Sequence, residues 1–152
     1  MTLQSHHGIG DVPMQTFLPY ADFVDSAKVL DRQRLGKQRV EAYQILRTLR
    51  GESNGWSHHP ATRMWKEHTQ ALAAYGFVVC SEWIARGYKD NLRLYFAQRL
   101  AQPKALVMPE WLGDEAFHLS HQSNLVRKDP QHYGAFFPDV PSDLPYVWPI
   151  WA

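Results

Sequence analysis

SAKVLDRQRLGKQRVEAYQILRTLRG, residues 26–51, reads as one long helix, and that reading decides the fold class. Asp25 or Ser26 suits the N-cap of a helix starting near Ala27, and Gly51 suits its stop after about Arg50. Leu35, Ala42, Leu46 and Leu49 form an inward stripe. Within residues 31–39, four basic residues face one acid. Helical spacing puts Arg32 and Arg39 on or beside the core-facing side, where an unpaired charge is costly. Two readings follow. The arginines pair internally, with Asp31, Glu41 or Glu115, or they line a cleft for an anion such as phosphate, which a guanidinium fork fits well. Gly36 costs about 1 kcal/mol against alanine in a helix interior, and it permits close approach of a backbone or ligand.

Working outward, ESNGWSHHP is a turn-rich loop, and a second long helix follows Pro60 to a stop at Arg86-Gly87. Trp65, Leu72, Tyr75, Val79 and Trp83 give it a strongly apolar face. Residues 90–101 read as helical, with Leu92, Tyr95, Phe96 and Leu100 inward and Pro103 beyond the end. Asp114 looks like the N-cap of a helix over roughly 115–128. The tail FFPDVPSDLPYVWPIWA holds four prolines among aromatics, so it runs extended and buries Tyr146, Trp148 and Trp151. The expected architecture is all-α: a compact domain of three to five helices over 14–152, with long loops and an extended C-terminal tail. Residues 1–13 lack periodicity and read as a flexible extension, His6-His7 included.

The 152 residues suit one domain, and 45% hydrophobic content supports a core. A formal charge of +1 hides the basic cluster of residues 31–39. The single cysteine, Cys80, excludes an intrachain disulfide framework and suits a reducing compartment. No apolar run is long enough to span a bilayer, and no signal peptide is visible, so a cytoplasmic protein without membrane partners is expected.

Three further groups bear on chemistry. His58, His59 and Arg63 cluster around Pro60. At the start of SHQSNLVRKDPQHY, residues 120–133, His121 shares a helical face with the preceding His118, and Arg127 and Lys128 occupy the last turn. That placement complements the helix dipole, and it equally suits phosphate contacts. His118-x-x-His121 has ligand spacing, but no Cys/His set or HExxH motif is complete, so neither metal nor cofactor is expected. Cys80 sits in an apolar stretch and reads as core.

Taken together, Met14 leading into DRQRLGKQRV, HHPATRMW leading into CSEWIARGY, and SHQSNLVRKDPQHY resemble the pyrimidine-dimer DNA glycosylase family, the group of phage endonuclease V. The resemblance spans roughly residues 14–137. It implies an all-α fold that binds duplex DNA with damaged or abasic sites, excises the base and cleaves the strand. An amine attacks the sugar C1′ to form a Schiff base, a glutamate on the first long helix assists, and arginines hold phosphates.

Carried onto this chain, the amine falls at Gln15, with thirteen residues ahead of Met14. The glutamate is due near residues 33–36, where none is acidic; Asp31 and Glu41 are the nearest acids. Lys37 is the alternative amine, since neighbouring cations favour its neutral form. Arg32, Arg34, Arg39, His58, His59, Arg63, His121, Arg127 and Lys128 are the candidate phosphate contacts. A non-catalytic nucleic-acid-binding module, or an enzyme for a small anionic ligand, would use the same basic groups.

Overall fold

The computed structural model describes residues 2–3, 15–100 and 106–150, with backbone alone for 2–3. The fold is all-α, with seven helices among the described residues: α1 Phe23–Val29, α2 Arg32–Leu49, α3 Pro60–Arg63, α4 Thr69–Ala85, α5 Arg93–Arg99, α6 Glu115–Lys128 and α7 Pro130–Tyr133. The count exceeds the expected three to five because both long helices are broken and because α7, capped by Asp129, follows α6 as a further short helix. Asp31 interrupts the first: its carboxylate accepts from Arg34 N and caps α2, while Leu30 turns extended. The second breaks between α3 and α4, where Glu67 takes a φ of 70°. Trp65 therefore lies outside α4, though it is fully buried.

α4 packs against α1, α2 and α5, and small residues set the closeness of these contacts. A Cβ on Gly76 would stand 2.2 Å from the Phe96 ring, and one on Gly36 would stand 2.9 Å from Trp83. Gly36 thus admits a neighbouring indole rather than a ligand. Phe23, Trp65, Tyr75, Trp111 and Phe117 join the core through ring contacts at 5.0–6.4 Å. Cys80 is buried there too.

The polar residues of α6 are largely stitching. Ser123 Oγ accepts from Leu144 N, and Ser120 Oγ accepts from Val147 N. Asn124 donates to Ser120 O and Leu144 O, and Gln122 donates to Pro19 O. These bonds hold the extended tail on one side and residues 18–19 on the other, burying Tyr146 and Trp148 as expected. Val147–Trp148 (β2) pairs antiparallel with Thr2–Leu3 (β1). Most of the predicted extension, with His6 and His7, lies outside the described residues, as do Pro103 and Trp151.

Candidate active site

Four residues of α2 recur at helical spacing on one face: Arg34, Lys37, Gln38 and Glu41. Residues 15–17 lie across this face. The Gln15 backbone nitrogen donates to Glu41 Oε2 at 3.0 Å. Gln38 Nε2 donates to Gln15 O at 2.6 Å, and Gln38 Oε1 accepts from Phe17 N at 2.5 Å. The Tyr75 hydroxyl reaches from α4 to Gln38 Oε1 at 2.6 Å and to Phe17 O at 2.8 Å. Gln38, not singled out from the sequence, and Tyr75, expected only as part of an apolar helix face, therefore hold the extended segment against Glu41. The i, i+3, i+4, i+7 spacing of polar residues on α2 is the sequence signal that marks Gln38.

Glu41 is 5% exposed. Burial pushes its pKa up to about 7, against the opposing pull of the Gln15 N–H, Lys37, Gln38 and Lys128. The carboxyl is therefore divided between its two protonation states near neutral pH, the condition for moving a proton in either direction.

A basic rim surrounds it. Lys128, from the last turn of α6, is exposed overall, yet partial desolvation lowers its pKa, followed by repulsion from Arg34, Arg127 and Lys37, while Glu41 opposes the shift. Tyr146 from the tail lies within the fields of Arg127, Glu41 and Arg34, and its hydroxyl pKa is raised chiefly by burial. Arg34 keeps a 3.2 Å ion pair with Asp31. Arg127 donates to Ser142 O at 2.9 Å. Lys37 and Lys128 thus reach Glu41 from two helices distant in sequence, with Arg34 and Arg127 close to Lys128.

Other expected residues are placed elsewhere. Arg39 pairs with Asp90 and lies 5.0 Å from the centre of the Trp83 ring, so the internal-pair reading holds for it, with a partner the sequence did not suggest. Arg32 is exposed rather than core-facing. Asp31 is bonded to Tyr133 as well as Arg34, and those partners outweigh its burial and lower its pKa. It anchors the start of α2. His59 Nδ1 accepts from Ala61 N and caps α3, while His58 is exposed. Arg63 lines a cavity of about 230 Å³ with Lys66, His68 and Trp111. His121 is wholly buried among Phe17, Phe117, Tyr146 and Trp148, with both ring nitrogens lacking a hydrogen-bond partner among the described residues. Burial drives its pKa down to about 3, so it is a neutral core residue rather than a wall of the cleft. His118 bonds Leu18 O through Nδ1 and accepts from Gly113 N at Nε2. Among the described residues no three His, Cys, Asp or Glu side chains gather as a metal site.

No curated protein and no solved structure matches the chain. A family model described as pyrimidine dimer DNA glycosylase matches residues 14–96, a range that holds Gln15, all of α2 with Glu41, the His59 loop and α4. The match takes in more than half of the 152 residues, and the chain belongs to the pyrimidine dimer DNA glycosylase family, a DNA-repair family whose substrate is DNA.

Proposed function

We propose that this chain excises damaged bases from duplex DNA and cleaves the resulting abasic strand, using the face where residues 15–17, α2 and α6 meet. The observation that carries the reading is the 3.0 Å bond between the Gln15 nitrogen and Glu41, inside the basic rim. An amine at that nitrogen would have a proton acceptor beside it. Attack on C1′ would expel the base with its electron pair, and the amine's proton would pass to Glu41. Opening of the sugar ring then gives the protonated imine, with O4′ taking the proton held by Glu41, and loss of a C2′ proton to the carboxylate would expel the 3′ phosphate with the C3′–O electron pair and so cut the strand. Arg34, Lys37, Arg127 and Lys128 would hold the flanking phosphates.

With residue 14 attached, the Gln15 nitrogen is an amide whose lone pair is delocalised into the carbonyl, and it is no nucleophile. A free amine there requires the Met14–Gln15 bond to be cut. In the uncut chain, Lys37 is the amine beside Glu41. Borohydride trapping on dimer-containing and abasic duplexes tests the reading, using the 1–152 chain and a chain beginning at Gln15. A peptide map that finds the sugar adduct on Gln15 or Lys37 supports it. Glycosyl-bond cleavage, read as alkali-labile sites at the dimer, without an adduct removes the lyase half of the reading. DNA binding with neither cleavage nor adduct favours the non-catalytic module, a reading to which the amide state of Gln15 lends weight. Anion binding with indifference to DNA favours a small-ligand enzyme.

A further inference from the structure

The loop between α2 and α3 presents an indole at some cost. Trp56 is 44% exposed and takes a φ of 61°, a left-handed conformation that bulky side chains rarely adopt. Gly55, immediately before it, does not take a positive φ, although glycine would occupy that region with little strain. The turn is otherwise well fastened. Thr48 Oγ1 donates to Gly55 O at 2.6 Å, Gly55 N donates to Ser53 Oγ at 3.1 Å, and His59 N donates to Trp56 O at 3.1 Å. The hydrogen bonds of this turn run through backbone groups and the side chains of Thr48 and Ser53, and the indole's one ring contact among the described residues is with His59, so the turn carries strain that a glycine at position 56 would relieve. Strain held on an exposed side chain points to a role outside the fold.

Its position relative to Glu41 is bounded. Ring contacts run from Trp56 to His59 at 5.7 Å, His59 to Trp148 at 6.1 Å, and Trp148 to Tyr146 at 5.1 Å. Trp56 therefore lies within about 17 Å of Tyr146, the ring beside Gln15 and Glu41. At about 3.4 Å per base step, that is a reach of some five steps along a strand.

We propose that Trp56 stacks on a nucleobase left without its neighbour or partner when a nucleotide beside the Glu41 face leaves the duplex. The inference rests on the DNA-excision reading above. Displacing a nucleotide uncovers a base face, and an aromatic ring is a sequence-tolerant replacement for the lost stacking. A ring held by a fastened turn is already ordered before DNA arrives, so little side-chain freedom is lost on contact.

The test compares wild type, Trp56→Gly and Trp56→Phe on a dimer-containing duplex and its undamaged counterpart, with 2-aminopurine opposite the lesion. Trp56→Gly should melt at or above the wild-type temperature, because the strain is relieved. It should bind undamaged duplex as wild type does, yet lose about ten-fold or more in damaged-duplex affinity and excision, the scale of one base–aromatic stack. Trp56→Phe should keep most of the activity, and the 2-aminopurine signal of the wild-type complex should change in Trp56→Gly. A Trp56→Gly chain that excises at the wild-type rate, or that weakens equally on both duplexes, or that melts well below wild type, overturns the proposal alone. A wild-type chain that excises nothing overturns it together with the functional reading.

Discussion

The backbone nitrogen of Gln15 lies 3.0 Å from the carboxylate of Glu41, and Gln38, three residues before Glu41 on α2, grips the Gln15 carbonyl at 2.6 Å. One helical turn therefore positions both the nitrogen and the group that would accept its proton. Segment and helix are joined at several points, so the geometry exists before any substrate binds.

Replacing Glu41 with glutamine should keep the hydrogen bond from Gln15 while removing the proton acceptor. Glycosyl-bond cleavage under single-turnover conditions should fall by about 10²–10⁴, the usual worth of a positioned base, with duplex binding within a few-fold of wild type. Because the ionised form accepts the proton, the wild-type rate should climb through pH 7, and that inflection should be absent from the variant. An inflection that survives in Glu41→Gln would assign it to another group.

Stability should carry two opposed pH signatures. Glu41 titrates near 4.5 unfolded and about 7 folded, so between these the native state holds a proton the unfolded chain lacks. Its contribution is therefore largest at acid pH and declines as pH rises through that window, by up to about 1.4 kcal/mol per pH unit. His121 titrates near 6.5 unfolded and about 3 folded, so the unfolded chain holds the extra proton and stability increases with pH over that range. Between 4.5 and 6.5 the two nearly cancel. Urea unfolding across this window should show a shallow wild-type slope, a rising one for Glu41→Gln and a falling one for His121→Leu. Parallel slopes in all three would contradict the assignment.

What the sequence revealed of this design follows from how local each signal is. α6 was readable to its ends because Asp114 caps one end and Asp129-Pro130 closes the other, both within a turn of the helix. The break at Leu30 was not, because Asp31 looks like any polar helix residue until Tyr133, 102 residues on, is seen to hold it. Glu41 and Gln15 were both candidates, yet their meeting depends on a chain path no periodicity encodes. The basic, polar run of residues 120–133 suits phosphate contacts as well as a helix end. Ser120, Ser123 and Asn124 instead satisfy the backbone of a proline-rich tail, Arg127 donates to Ser142 O in the same tail, and Lys128 is the basic group of the stretch that reaches the field of Glu41.

Gln38→Leu should show what the junction contributes. The change leaves the buried Phe17 N without its acceptor and frees the Gln15 carbonyl, at about 1–3 kcal/mol for each orphaned group. Tyr75→Phe removes a hydroxyl alone and should cost about 1 kcal/mol. Hydrogen exchange at residues 15–18 should accelerate far more in the first variant than in the second. Equal protection in both would mean the segment is held by its apolar neighbours.

Gly76→Ala tests the closeness of α4 and α5. The added methyl meets the Phe96 ring at 2.2 Å, so the buried ring or the helix that carries it must move, and overpacking of this kind costs about 1–3 kcal/mol. Phe96→Leu should cost less in the Gly76→Ala background than in wild type, since the smaller side chain vacates the contested space. Additive losses in a double-mutant cycle would show that the ring is not what the methyl meets.

The arginines and lysines separate by salt dependence. Each phosphate contact releases counterions, so losing one lowers the slope of log affinity against log salt by about 1. Arg127→Ala, Lys128→Ala and Lys37→Ala should each lower the slope on duplex DNA while leaving the melting temperature nearly unchanged, because these side chains are exposed. Arg39 carries the same charge on the same helix, but its guanidinium is committed to Asp90, whose side chain is 3% exposed. Arg39→Ala strands that carboxylate, so its cost should appear as lost stability with the salt slope intact. A slope that drops as much for Arg39 as for Lys128 would mean that DNA breaks the Asp90 pair and that the basic face extends around α2 toward Trp83.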